Sequence, residues 1–278
     1  MTSVVESLTV AHLTLGGTPR ENIEAAAHAG FGAVGLRICG RRPGDPFATP
    51  LLGRPDETQA LRVRAQELGV RLSNVSGYQF YPDVTLAQVE PVVVATAELR
   101  IPVIVANSFE PDERRFTDIF ARYCAMARER GIRVALEFLP YSAVRDLATA
   151  MRIIEAAGAS NAGVLLDALH LARSGATPAS IGSIPSGRIA FAQLCDAPAT
   201  ARDPSDEALM QEARSARLPA GTGALPLYDF IDALPADCEI EYEVARADFA
   251  DRTPGERALA AAEDAARFFT AYRGRARR

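Results

Sequence analysis

The stretch GIRVALEFLPYSAVRDLATAMRIIEAAGASNAGVLLDALH, Gly131 to His170, holds one full turn of the pattern that decides the fold. Gly131 closes a preceding helical pattern. Ile132 to Phe138 then reads as a strand, apolar except at Arg133 and Glu137. Val144 to Ala157 repeats apolar residues at three- and four-residue intervals, the period of a helix packed on one face. Val164 to Asp167 reads as the end of the next strand.

The same rhythm extends in both directions. Upstream, strands are expected at Leu8–Leu15, Ala33–Ile38, Val70–Val75 and Ile101–Ala106. They are interleaved with helices at Arg20–Ala29, Asp56–Leu68, Leu86–Leu99 and Glu113–Arg130. Downstream come a short helix at Pro178–Ile184, a strand at Ile189–Leu194, a helix at Tyr228–Leu234, a strand at Cys238–Val244 and a last helix at Pro254–Tyr272. Eight strand–helix units predict an α/β fold, a (β/α)8 barrel over residues 1–272 with a basic tail at 273–278. An open doubly wound sheet would want a GxGxxG turn after its first strand, and Gly16-Gly17-Thr18-Pro19 does not supply one.

Composition narrows the function classes. With 48% hydrophobic and 23% charged residues the chain has the makings of a packed core. Its formal charge of -5 and lack of a basic tract argue against nucleic acid as a partner. No apolar run reaches the length of a membrane span, and Met1–Ser7 lacks the pattern of a secretory signal, so a cytoplasmic protein is expected. All 30 basic residues are arginine, which removes Schiff-base lysines, lysine bases and the phosphate-loop lysine. Cys39, Cys124, Cys195 and Cys238 form no CxxC pair, against a zinc-finger or disulfide framework.

In a barrel the chemistry sits at the C-terminal ends of the strands. Those ends carry Glu137, Asp167 with His170 three residues on, Gln193 with Asp196, and Glu243. Each interrupts an apolar run, and a buried carboxylate needs a partner. Converging on one rim, Glu137, Asp167, Gln193 and Glu243 would form a hard oxygen site for magnesium, manganese or another divalent ion. Structural ion pairs with arginines are the competing reading. Among the three histidines, His170 is the best candidate proton carrier. His12 is a candidate for the pocket mouth, and His28 reads as an ordinary helix residue. Glu239, Glu241 and Glu243 alternate along one strand face, so Arg133 is expected to help neutralise Glu239 or Glu241. The Arg214–Gly223 stretch lies where barrels often hold an anion, and Arg217 suits a carboxylate or phosphate; the bland alternative is a turn. Arg37, Asn74 and Asn107, which end strands, lead the remaining mouth candidates, followed by Arg41, Tyr78, Glu110 and Tyr141.

On these residues the chain resembles the xylose isomerase-like barrels, the sugar phosphate isomerase/epimerase superfamily, from about Leu8 to Tyr272 and most strongly from Val134 to Val244. The resemblance implies one divalent metal, Mn2+ or Mg2+ first and Co2+ or Zn2+ as alternatives, on Glu137, Asp167, Gln193 and Glu243. It implies a homodimer or homotetramer and a small polyhydroxylated or carboxylated substrate, which the mouth candidates His12, Arg37, Asn74, Asn107 and Tyr141 are expected to contact. The leading expectation is an isomerase or epimerase that abstracts an α-proton, with Glu137 and Glu243 as paired acid and base and His170 and Arg217 as orienting groups. Its ketose epimerases use histidine where Gln193 stands. Gln193-Leu194-Cys195-Asp196-Ala197-Pro198 and the Arg217–Gly223 stretch look more like the 3-dehydroshikimate dehydratases of the superfamily, the alternative reading. There His170 would be the base and Arg217 the clamp for a substrate carboxylate. The superfamily's zinc-dependent DNA-repair nucleases are a poor match for a chain with three histidines and net negative charge. A non-catalytic barrel would hold this polar rim at a cost and without use.

Overall fold

The computed structural model describes residues 4–201 and 203–275. Among these, eight parallel strands close in sequence order into a barrel: β1 (Thr9–Val10), β2 (Ala33–Leu36), β3 (Arg71–Phe80), β4 (Val103–Ser108), β5 (Arg133–Glu137), β6 (Ala162–Asp167), β7 (Ile189–Leu194) and β8 (Ile240–Tyr242), with β8 paired back to β1. The helices are α1 (His12–Leu15), α2 (Pro19–His28), α3 (Pro55–Leu68), α4 (Leu86–Glu98), α5 (Glu113–Arg128), α6 (Leu147–Ala157), α7 (Ala168–Arg173), α8 (Asp206–Ser215), α9 (Leu227–Ala233) and α10 (Pro254–Arg275). Among the described residues no helix is long and apolar enough to cross a membrane.

The main core lies between the sheet and the outer helices, where Ile23, Leu61, Val92, Phe120, Ile154 and Phe268 pack against strand residues such as Val34 and Val134. A second, smaller cluster fills the barrel itself, from Val105, Ala135, Leu165 and Phe191 on β4 to β7. The other side of the interior is polar. Thr9, Ser73, Asn74 and Glu241 are all buried there. This division places the apolar half of the interior under one part of the rim and a hydrogen-bonded network under the rest.

Several elements differ from the sequence expectation for identifiable reasons. The first strand ends at Val10 instead of Leu15, because Ala11 still bonds to Tyr242 O while the chain turns into α1, closed by Gly16 at φ 73. β3 runs on to Phe80 across a register shift between Ser76 and Gln79, so Asn74 lies mid-strand and not at a strand end. α7 was hidden in the strand-end reading; its N-cap is Asp167, whose Oδ1 accepts from Leu169 N and His170 N. α8 lies between the expected Ile189–Leu194 strand and Tyr228–Leu234 helix, where no helix was expected; Ser205 caps it and accepts from Ala208 N. Arg273 and Arg275 complete α10 where a tail was expected. Residues 1–3 of the N-terminal stretch, Arg202 and residues 276–278 of the tail lie outside the described residues.

Candidate active site

The strand ends of β5, β6 and β7, with the residue that follows β8, bring a continuous polar rim together. Glu137 ends β5, and its Oε2 accepts from Asn107 Nδ2 of β4 at 3.2 Å. His170, at the start of α7, places Nε2 3.8 Å from Glu137 Oε1. Asp167 carries both ends of the arrangement: Oδ1 caps α7, and Oδ2 receives Arg217 Nη1 at 2.6 Å. Arg217 then reaches Glu243 Oε2 through Nη2 at 2.9 Å. Gln193 Nε2 donates to Glu243 Oε1 at 3.1 Å and to Glu241 Oε2 at 2.7 Å. Asn74 Nδ2 completes the chain on Glu241 Oε1 at 2.9 Å.

Electrostatics follow from burial. Burial, joined by the neighbouring Glu243 and Asp167, pushes the Glu137 carboxyl up to about 8. Burial pushes Glu243 up to about 7 despite Arg217. Burial and Glu243 push Glu241 up to about 8. Asp167 is the exception: burial raises it, but Arg217 and His170 outweigh that and hold it below the ordinary carboxylate value. Burial drives His170 down to about 4, so its ring is neutral at pH 7. Tyr141 sets its ring edge-on to His170 at 5.8 Å, and burial lifts its hydroxyl far above neutrality, so it stays a donor.

The residues fit a divalent cation. Glu137, Asp167 and His170 bring ligand atoms within 4.8 Å of one another. Gln193 Oε1 is buried with no hydrogen-bond donor, as is Asn107 Oδ1. Three carboxyls pushed toward protonation, with an amide oxygen left unpaired beside them, describe a site short of positive charge. Carboxylate and amide oxygens suit a hard ion, and the His170 nitrogen extends the choice to softer ones. The expected ligands Glu137, Asp167, Gln193 and Glu243 all reach the rim, and His170 Nε2 stands 3.8 Å from Glu137 at its edge.

The other sequence candidates divide. His12 and Arg37 meet at the mouth: Arg37 Nε donates to His12 Nε2 at 3.3 Å, and Arg37 Nη1 to Gly40 O at 3.3 Å. Burial, then Arg37 and Arg41, hold His12 neutral. His28 is exposed on α2. Asn74 points at Glu241, below the rim. Tyr78 is buried, and Glu110 organises its own loop through Asp112 N and Arg115.

Three expectations need correction. Arg133 does not neutralise the β8 acids; it lies at the barrel base and donates to Gly187 O at 2.6 Å. Glu239 pairs with Arg71 at 3.0 Å, and Glu241 is held by two amides. The glycine-rich stretch holds no free anion nest: Gly221 N and Gly223 N both donate to Asp196 Oδ2, while Ala197 N and Leu225 N donate to Oδ1. The chain's own carboxylate fills it. Arg217, for its part, is only 2% exposed and spends Nε on Ala213 O and Nη1 on Asp167 and the Cys195 sulfur. Glu241 is the site residue that sequence reasoning misassigned; its alternation with Glu243 was visible, but its amide partners on β3 and β7 were not.

Comparison with known proteins agrees with this architecture. The sequence matches the xylose isomerase-like TIM barrel family over residues 23–271. It is 24% identical over 235 residues to 3-dehydroshikimate dehydratases of Pseudomonas putida and Pseudomonas aeruginosa, covering 80% of this chain but 35% of each relative. The chain thus spans about a third of the length of those curated relatives. Among solved structures, the IOLI protein with a bound zinc atom superposes with a TM-score of 0.77 at 16% identity, over 95% of this chain and 98% of that one. D-psicose 3-epimerase from Clostridium cellulolyticum H10 gives 0.68 at 14% identity, over 94% and 98%. A xylose isomerase-like TIM barrel/4-hydroxyphenylpyruvate dioxygenase fusion protein gives 0.75 at 21%, over 93% of this chain and 42% of that one. With nearly its whole length matched by the family, the chain belongs to the xylose isomerase-like TIM barrels.

Proposed function

We propose that this protein is a divalent-metal-dependent lyase that removes water from a hydroxylated cyclic ketone acid of the 3-dehydroshikimate class. The observation that carries the reading is the asymmetry of the rim. Glu243 is tied by Arg217 and Gln193, whereas His170 stands neutral with its Nε2 3.8 Å from Glu137 and with Asp167 close by. One free base suits an elimination, which moves one proton on one side of the substrate. The sequence similarity to two 3-dehydroshikimate dehydratases supports the same choice.

Glu137, Asp167, Gln193 and Glu243 would hold the metal, which when bound polarises the substrate carbonyl and steadies negative charge on its oxygen. His170 Nε2 takes the proton from the carbon beside the carbonyl. The resulting imidazolium faces Glu137 and is favoured by the negative charge of nearby Asp167. The electron pair released forms the new carbon–carbon double bond as the β-carbon–oxygen bond breaks. The hydroxyl leaves as water with the proton that His170 returns. Arg217 keeps Asp167 and Glu243 apart and oriented, and Tyr141 offers a hydroxyl donor at the mouth.

A second reading, isomerisation or epimerisation with Glu137 and Glu243 as paired acid and base, is favoured by one feature. Burial raises both carboxyls toward neutrality in the metal-free site. Incubating manganese-loaded protein with 3-dehydroshikimate and following the ultraviolet absorbance of the conjugated product separates the two. A signal abolished by EDTA supports the lyase. No signal from protein carrying one metal per chain overturns it and moves the search to ketoses, assayed for solvent-proton exchange in heavy water.

A further inference from the structure

Glu241 has none of the roles above, yet the barrel makes room for it from three sides. It sits on β8 opposite Gln193 in the β7 register and is 1% exposed. Asn74 of β3 donates to one oxygen and Gln193 to the other. On β2, Gly35 supplies the space: a Cβ there would lie 2.1 Å from Glu241 Oε1. Among the described residues no arginine bonds to it. A buried carboxylate held only by amides is costly, and an apolar side chain would fill the volume at lower cost.

We propose, on the basis of the metal site above, that Glu241 is a positioning residue which sets the orientation of the Gln193 amide so that Oε1 is presented to the cation. The two ends of an amide have nearly the same shape and opposite chemistry. Turned one way, Gln193 offers a cation an oxygen; turned the other, it offers an NH2 group. Glu243 alone is a poor guide, because a bound cation competes for its oxygens. Glu241 lies one step below the rim on the same strand face, where its two oxygens meet the N–H groups of Asn74 and Gln193. With both Nε2 hydrogens directed at Glu241 and Glu243, the unpaired Oε1 is the atom left for a ligand. Outer partners of this kind fix the orientation of metal ligands.

The test measures Mn2+ binding to the full chain by calorimetry and electron paramagnetic resonance, without substrate. Glu241→Leu removes both acceptors. Gly35→Ala displaces the carboxylate from another strand and keeps the measurement meaningful if the first variant does not fold. Each is expected to bind Mn2+ about 10- to 100-fold more weakly while still unfolding cooperatively. Glu241→Gln keeps an oxygen that can accept from Gln193, with the Asn74 amide turned over to accept the new N–H, and should stay close to the native affinity. The double variant Glu241→Leu/Gln193→Leu should bind no more weakly than Gln193→Leu alone, since Glu241 acts only through that side chain. Native affinity in folded Glu241→Leu or Gly35→Ala overturns the proposal, as do additive losses in the double variant. A loss in Glu241→Gln equal to that in Glu241→Leu overturns it too, by assigning the effect to charge. Unchanged binding in Gln193→Leu overturns the positioning role and leaves the metal reading standing; absence of stoichiometric Mn2+ from the native protein overturns both.

Discussion

Arg217 and His170 occupy adjacent places on the rim and do different work. Arg217 is the buried cation between Asp167 and Glu243, at 2.6 and 2.9 Å. Replacing it with methionine leaves two carboxylates facing each other without a charge between them. Breaking a buried pair in this way costs about 3–5 kcal/mol, so Arg217→Met should show that loss in urea unfolding of the metal-free protein. A loss below about 1 kcal/mol, the range of exposed pairs, would mean the guanidinium is free for substrate instead. His170 is exchangeable in shape but not in proton chemistry. His170→Gln should lower turnover by about 10²- to 10⁴-fold, the usual share of a general base, while Mn2+ still binds. If metal affinity falls together with turnover, His170 is a ligand and the base must be sought elsewhere.

At the scale of elements, β8 and its flanks carry three acids with three fates. Glu243 faces the rim, Glu241 the amide network, and Glu239 ties the barrel base together. Burial pushes Glu239 up, but hydrogen bonds from Ser73 and Thr9 and the Arg71 pair outweigh that and hold it below the ordinary 4.5. A carboxylate with a lowered folded value stabilises above its unfolded value and loses that contribution as pH falls through the folded one. Glu239→Gln should therefore lower stability at pH 6 and flatten the decline in thermal midpoint on acidification below pH 4.5. An unchanged acid profile would show that the three hydrogen bonds serve the uncharged form equally well. The same strand shows what sequence can reveal. The alternation of Glu239, Glu241 and Glu243 was legible because strand period is fixed at two, and the barrel itself because eight units repeat the same apolar patterns. The partners were not legible, since Arg71, Asn74 and Gln193 come from other strands whose stagger no local pattern states. Asn74 was placed at a strand end because Gly77, which lies in the bulge that prolongs β3, reads in sequence equally well as the turn that ends a strand. The glycine loop misled for a related reason: an anion nest looks alike in sequence whether a ligand or, as here, Asp196 fills it.

Taken as a whole molecule, the barrel holds more negative charge at its upper end than its own arginines offset, and this makes stability depend on pH and metal together. Glu137, Glu241 and Glu243 are raised from 4.5 to about 8, 8 and 7. A carboxyl raised on folding binds its proton more tightly in the folded state, so its contribution is full below 4.5 and is lost as pH rises through the folded value. His12 and His170 are lowered from 6.5, so their effect runs the other way and is complete about one unit above 6.5. Between pH 6.5 and 8.5 this leaves the three carboxyls as the larger source of slope in the upper part of the interval. The metal-free protein should accordingly lose thermal stability over that interval. A cation bound by the ionised carboxylates should reverse the trend, because its affinity rises as they deprotonate. At free Mn2+ of about 100 times the dissociation constant, linkage adds about 2.7 kcal/mol. That corresponds to a rise of about 5 °C in the midpoint for a chain of this size. The rise should be larger at pH 8.5 than at pH 6.5, should vanish with EDTA, and should be much reduced in Glu243→Gln, measured by differential scanning calorimetry. A metal-free midpoint flat across the interval, with the same Mn2+ shift in native and Glu243→Gln protein, would place the cation away from this rim and remove the physical ground on which Glu137, Asp167, Gln193 and Glu243 are assigned to it.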